Sequence, residues 1–279
     1  MFRDRDARAI GVFPQYLGWC GAGPSARAYS RIMVWVALVL VVAAVGWVLV
    51  GRKTAMPPAF SLAVAVPGLL LLVLVGGVLG WDGVTRIDAP TMNWTVAQRT
   101  DGLTPAVRTV TDLGGTPAMT IVAVVACAWL AWRRRWAEVV VTTAVSLGAG
   151  LTVFVVKALV GRRRPPVDHL VTETSHSFPS GHTLGSTAVL GVVAAVTMLS
   201  LRRRAARVAV GTTVALFVLA VGVSRVYLGV HWPTDVLAGW SFGALWIVAG
   251  TVALRRLGAA RHRAAAATAE AEFGTTARR

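Results

Sequence analysis

Long uncharged apolar stretches alternate with short polar segments along most of the chain. Seven stretches free of Asp, Glu, Lys and Arg stand out: residues 32–51, 54–81, 113–132, 139–156, 183–201, 208–224 and 236–254. A helix needs about 20 residues to cross the ~30 Å hydrocarbon layer of a bilayer. Each stretch is therefore expected to be a transmembrane helix. The second carries Pro57 and Pro58, so its helix is expected to begin near Phe60. Residues 10–26 are also uncharged, but they are few, hold Pro14, Pro24 and several glycines, and read as a loop. The first strong apolar run starts too late and is too long for a cleavable signal. Residues 82–112 alternate apolar and polar positions (Ile87, Met92, Trp94, Val96, Leu103, Val107), which predicts short interfacial helices. The Ala-rich tail after Arg263 reads as a frayed helix or a disordered segment.

Composition agrees with this pattern. Hydrophobic residues make up 56% of the 279 and charged residues 14%, against about 25% charged in soluble domains. The mean hydropathy of +0.65 leaves a soluble globule without a surface. Disordered, collagenous and disulfide-stapled secreted classes are excluded on the same grounds. The two cysteines, Cys20 and Cys127, form no disulfide framework or metal motif.

The net charge of +16 sits in clusters between apolar runs, a pattern of membrane topology and anionic head groups rather than of nucleic-acid binding. Arg133–Arg135, Arg202–Arg204 with Arg207, and Arg255, Arg256, Arg261 and Arg263 fall at one end of the bundle if every intervening run crosses. That end is expected to be cytoplasmic, together with the C-terminus. Seven spans would put residues 1–31 on the opposite side, although their five arginines and two aspartates favour the cytoplasm. The number of spans, six or seven, stays open here.

Two loops opposite the arginine clusters concentrate reactive side chains. In the first, Lys157 ends an apolar span and Arg164-Pro165 follows seven residues on. Two cations so spaced can bracket an anion, or simply flank a span at the head-group level. Phe178-Pro179-Ser180-Gly181-His182 leads into the next span. Ser180 and Gly181 suit a helix N-terminus, where free N–H groups bind anions, and His182 adds a titratable ring at the membrane boundary. The second loop brings Ser224-Arg225, His231 and Asp235. A carboxylate four residues from a histidine can hold the imidazole in one tautomer, as for an activated nucleophile. A site this cationic suits a phosphate. A metal is not expected, because hard cations need several oxygen ligands and Asp235 stands nearly alone.

These three groups resemble the signatures of the type 2 phosphatidic acid phosphatase superfamily of membrane lipid phosphatases. They run Lys, six residues, Arg-Pro; Pro-Ser-Gly-His; and Ser-Arg, five residues, His, three residues, Asp. Here they read Lys157 to Arg164-Pro165, Pro179-Ser180-Gly181-His182, and Ser224-Arg225 to His231 to Asp235. The resemblance implies that His231 attacks phosphorus, Asp235 orients it and His182 is the general acid. It implies that Lys157, Arg164, Ser180, Gly181 and Arg225 hold the phosphoryl oxygens, with no metal or other cofactor. Arg162, Arg163 and His169 match no required position.

The expected fold class is all-α, a polytopic membrane helix bundle. Residues 56–257 form a six-helix phosphatase core, residues 1–55 an N-terminal segment with an extra transmembrane helix, and residues 258–279 a cytoplasmic tail. The expected substrate is a lipid phosphate or diphosphate (an isoprenoid diphosphate, phosphatidylglycerol phosphate or phosphatidic acid), met on the extracytoplasmic face of the plasma membrane. Membrane lipids are the other partners, and nucleic acid is not one. A phosphotransferase on the same scaffold and a non-enzymatic lipid-phosphate binder or transporter are the alternatives. A soluble haloperoxidase is disfavoured by the apolar spans.

Overall fold

A computed structural model describes residues 58–276 apart from residues 81 and 82. The expected loop at residues 10–26 and the expected span at residues 32–51 lie outside the described residues. Those described are all-helical outside turns and loops. Helix α1 is Pro58–Gly80, and a short 3-10 turn, Gly83–Ile87, leads into α2 (Asp88–Ala97). Then come α3 (Leu103–Leu113), α4 (Thr116–Trp132), α5 (Trp136–Val160), α6 (Gly181–Ser200), α7 (Arg204–Tyr227) and α8 (Pro233–Thr276).

Among the described residues, five helices are long and apolar enough to cross a membrane, and six spans result if the bent pair α3–α4 counts as one. These match the expected core spans, with one difference. The stretch 113–132 is entered through a 43° bend between α3 and α4. The break falls at Gly114-Gly115, where a Cβ on Gly114 would meet Val221 Cγ2 of α7 at 2.5 Å. The amphipathic stretch 82–112 does form short helices. The Ala-rich tail after Arg263 continues α8 as helix to Thr276.

Most spans are apolar all round, so lipid-facing and protein-facing sides differ in side-chain size rather than in polarity. Large residues such as Leu69, Leu147, Phe154 and Leu216 are exposed. Helix α6 is the central element: 56% of its membrane window is buried, the largest share among the spans. Its packing against α8 rests on small residues four apart. A Cβ on Gly239 would lie 2.8 Å from Thr183 Cβ and 3.0 Å from Ser180 O, and one on Gly243 would lie 2.5 Å from Thr187 Cβ. Lipid tails are as apolar as leucine, so close backbone approach supplies the dispersion contact that holds such helices together. On other faces of α8, Trp246 fills the space over Gly148 of α5, and its Nε1 donates to Thr152 Oγ1 at 3.1 Å. Trp240 sits over Gly222 of α7 and donates to Val218 O at 3.1 Å. Helix α8 is thereby wedged among α5, α6 and α7, and its first turn carries Asp235.

The arginine clusters gather at one end, as expected. Arg135 Nη1, in the α4–α5 turn, donates to Ser200 Oγ at the end of α6 at 2.8 Å. Loops α5–α6 and α7–α8 lie at the other end and are laced by backbone hydrogen bonds: Leu170 N to Leu228 O at 3.0 Å and Ser180 N to Asp235 O at 3.1 Å.

Alanine at Gly239 or Gly243 gains about 1 kcal/mol of helix propensity, but overpacking costs about 1–3 kcal/mol and should win. Gly239→Ala and Gly243→Ala should lower the thermal melting temperature of detergent-purified protein. Gly150→Ala, where nothing lies within 4 Å of the new Cβ, should leave it unchanged or raise it.

Candidate active site

Helix α5 ends one turn after Lys157. Gly161 takes the left-handed conformation (φ 61°) that closes the helix, and its N–H donates to Lys157 O at 3.1 Å. The chain then turns inward, so that Arg162 is buried and Arg164 half-buried while Arg163 points outward. Lys157 Nζ donates to Ser175 Oγ at 2.7 Å, and Arg164 Nε donates to Ser175 O at 2.9 Å. Both cations of the first signature therefore face the same stretch of loop.

Ser180 caps α6 and is fully buried. Its Oγ accepts from Thr183 Oγ1 at 2.9 Å and from Thr183 N at 3.5 Å, so the hydroxyl is engaged in capping. Gly181 opens the helix, and a Cβ there would meet Val153 Cγ1 at 3.3 Å. His182 follows in the first turn. Its Nε2 lies 3.3 Å from the position of a Cβ on Gly115, at the α3–α4 break. Arg225, Glu173, His231 and Lys157 are its charged or titratable neighbours.

Arg225 ends α7 and is 1% exposed. Nη1 donates to Thr111 Oγ1 of α3 at 2.8 Å, and Nη2 donates to Glu173 Oε1. The other carboxylate oxygen of Glu173 accepts from Arg164 Nη2 at 3.4 Å. One internal carboxylate thus bridges two arginines, one from the α5–α6 loop and one from the last turn of α7. Burial favours its neutral form, but Arg225 and Arg164 outweigh that and hold the carboxyl below its ordinary range. With Lys157 alongside, three cations face one carboxylate, an excess of two positive charges that suits an added anion.

His231 is 1% exposed and sits between this cluster and Asp235. Its Nε2 lies 3.4 Å from Arg164 Nη1. A guanidinium only donates, so Nε2 is the unprotonated nitrogen and presents its lone pair to the cationic cluster. Nδ1 then carries the proton and faces Asp235 Oδ2 at 3.5 Å, slightly long for a hydrogen bond, with no other partner. Such bonds are often loose before substrate binds. Burial pushes the imidazole down to about 4, against the opposing pull of Asp235, so the ring is neutral at neutral pH.

Asp235 is fully buried in the first turn of α8. Its Oδ2 accepts from Ser177 Oγ and, at 2.9 Å, from Trp232 N. Its Oδ1 accepts from Arg162 Nη1 at 2.5 Å. Lys157, Arg164, Arg225, His182, His231 and Asp235 therefore converge at one end of the bundle, with Ser180 and Gly181 at the α6 terminus beside them. Arg162, which matches no required signature position and reads from sequence as mere surroundings, is instead buried against Asp235, while Glu173, Asp88, Ser177 and Thr111 were not singled out in the sequence. Of these only Glu173 left a trace: with Asp168 it is one of two carboxylates in the cation-rich stretch 157–182.

Residues 139–258 match the PAP2 superfamily. The chain is 29% identical over 182 residues to phosphatidylglycerophosphatase B of Bacillus subtilis (strain 168), covering 63% of this chain and 87% of that protein. It is 42% identical over 74 residues to the undecaprenyl-diphosphatase of Sulfolobus acidocaldarius, covering 26% of this chain and 31% of that protein. In three dimensions it is similar to the crystal structure of the first transmembrane PAP2 type phosphatidylglycerolphosphate phosphatase from Bacillus subtilis, with a TM-score of 0.61 at 29% identity, covering 67% of this chain and 92% of that one. The family match runs from Val139 in α5 to Gly258 in α8 and includes every signature residue, on a multi-pass helical frame. Across the matched residues 139–258 the chain has the sequence of a PAP2 superfamily membrane lipid phosphatase.

Proposed function

We propose that this enzyme hydrolyses a lipid phosphate or diphosphate through a phosphohistidine on His231, without a metal, at the extracytoplasmic surface of the membrane. One observation carries the reading: the unprotonated Nε2 of buried His231 faces a cluster of Arg164, Arg225 and Lys157 that Glu173 only partly neutralises.

In the first step, phosphoryl oxygens displace the Glu173 carboxylate from Arg164 and Arg225. The Nε2 lone pair of His231 attacks phosphorus and the P–O bond to the lipid breaks. The departing oxygen takes a proton from His182, which acts as general acid. Asp235 stabilises the positive charge that develops on the ring, and the cations stabilise the charge on the equatorial oxygens. In the second step, water gives a proton to His182 and attacks phosphorus, the P–N bond breaks and inorganic phosphate leaves. A monophosphate substrate yields a lipid alcohol and a diphosphate yields a lipid monophosphate. The names of the two similar enzymes support both substrate classes, phosphatidylglycerol phosphate and an isoprenoid diphosphate. The arginine clusters at the opposite end of the bundle support a cytoplasmic C-terminus and an extracytoplasmic site.

Purified protein should release phosphate from at least one of phosphatidylglycerol phosphate, phosphatidic acid and farnesyl diphosphate in the presence of EDTA. His231→Ala should lose at least 10³-fold of that rate while melting like wild type, and more than a few per cent residual turnover would remove His231 as nucleophile. Protonated His231 cannot attack, so its depressed pKa sets the acid limb. The kcat/KM profile should hold down to about pH 5 and fall with a midpoint near 4; a midpoint at the ordinary imidazole value of about 6.5 would contradict the burial effect. Glu173→Gln removes the internal counter-charge, and inorganic phosphate should then inhibit several-fold more tightly in steady-state assays.

A further inference from the structure

Arg162 lies inside the first signature but occupies neither of its defined positions, and Asp88 lies outside the residues that match the family. Both are buried, at 5% and 3% exposure. A charge leaves water at high cost and stays ionised in the interior only when it is closely paired, so the partners of these two groups are informative. Arg162 Nη1 donates to Asp235 Oδ1 at 2.5 Å and to Thr234 Oγ1 at 2.8 Å. Arg162 Nη2 donates to Asp88 Oδ2 at 2.6 Å. Asp88 in turn accepts from Thr234 N at 3.0 Å and from Thr234 Oγ1 at 2.7 Å. The Trp232 ring lies 5.5 Å from the guanidinium carbon. Arg162 O accepts from Ser177 N at 2.8 Å, and the Ser177 hydroxyl donates to Asp235 Oδ2. The Asp235 carboxylate therefore accepts from Arg162 at Oδ1 and from Ser177 and Trp232 N at Oδ2, and Oδ2 also faces His231 Nδ1 at 3.5 Å.

We propose that Arg162 and Asp88 are positioning residues: Asp88 anchors the Arg162 fork, which locks the Asp235 carboxylate in the rotation that directs Oδ2 at His231 Nδ1. This rests on His231 as the nucleophile. Neither residue touches the reacting atoms, and both act through Asp235. The planar fork matters because its two terminal nitrogens serve two carboxylates at once. The groups that face the His231 ring are Asp235 from α8, Arg225 from α7, His182 from α6, and Arg164 and Glu173 from the α5–α6 loop. Arg162 is separated from the ring by Asp235. Replacing Arg162 with a neutral residue leaves the Asp235 carboxylate less neutralised. It then favours the imidazolium more strongly, and the acid limb moves to higher pH.

The test uses full-length Asp88→Asn and Asp88→Asn/Arg162→Gln, with wild type and His231→Ala alongside. The probes are phosphatidylglycerol phosphate, phosphatidic acid and farnesyl diphosphate in detergent micelles, with thermal melting recorded for each protein. Both variants should melt cooperatively and lose at least tenfold in kcat with KM within threefold of wild type. In the double variant the acid limb should move up by at least half a pH unit. A kcat within twofold of wild type would overturn the proposal. So would a loss of kcat in the double variant with the acid limb unmoved, since a merely structural role lowers the active fraction without retuning the histidine. If the double variant does not fold, the kcat-against-KM split in Asp88→Asn decides; if neither folds, the pair is structural and the proposal fails. Wild type without phosphate release on all three probes would instead remove the underlying reading, and this inference with it.

Discussion

The Asp235 carboxylate is the constraint on which the rest of the site depends. It is fully buried at the head of a membrane helix, where an unpaired charge costs several kcal/mol even after relaxation. It survives there because a guanidinium, a serine hydroxyl and a backbone N–H converge on it from three directions. The first two come from opposite ends of the α5–α6 loop and the third from the α7–α8 turn, so satisfying this one group ties together both loops and, through Asp88, the start of α2. The same pairing brings His231 up against Asp235 on one side and Arg164 on the other. Removing one member of such a buried network typically costs about 3–5 kcal/mol, comparable to the whole stability of many domains.

Around this anchor the charges divide into two groups. On the Asp235 side, one arginine answers two carboxylates. On the Glu173 side, two arginines and a lysine answer one. The His231 ring separates the two, with its proton toward the acidic side and its lone pair toward the basic side. That asymmetry is what the proposed attack of the neutral imidazole on an anionic phosphoryl group would use. The bundle contributes by excluding water from the ring and by fixing the first turns of α6 and α8 against each other through Gly239 and Gly243. Both turns carry site residues, so a sub-ångström change in helix spacing would alter the His182–His231 relation directly.

The apolar interhelical packing and the polar site are linked at the short interfacial helices. Helix α3 supplies Thr111 to Arg225, while Arg108 Nη2 donates to Leu170 O at 2.8 Å. Between α2 and α3, Arg99 Nε donates to Tyr227 O at 2.9 Å and its Nη1 to Asp168 O at 3.0 Å. The amphipathic stretch between the first two core spans thus braces the reactive loops from outside the signatures.

Much of this was legible in the amino-acid sequence, and for a definite reason. Span lengths, the ends at which arginines gather and the loops that hold Lys157, Arg164, His182, Arg225, His231 and Asp235 depend on local hydrophobicity and on counting crossings. Both are properties of the chain read in order. The 43° break at Gly114-Gly115 and the helical course of the tail were not so determined, because each reflects what neighbouring elements or helix propagation permit. Only the tertiary structure decided that Glu173 lies across Arg164 and Arg225, that the Ser180 hydroxyl turns to capping, and that Arg162 reaches Asp88, 74 residues away in sequence. Buried charges choose partners by proximity in three dimensions, and no periodicity along the chain encodes which distant carboxylate a guanidinium will meet.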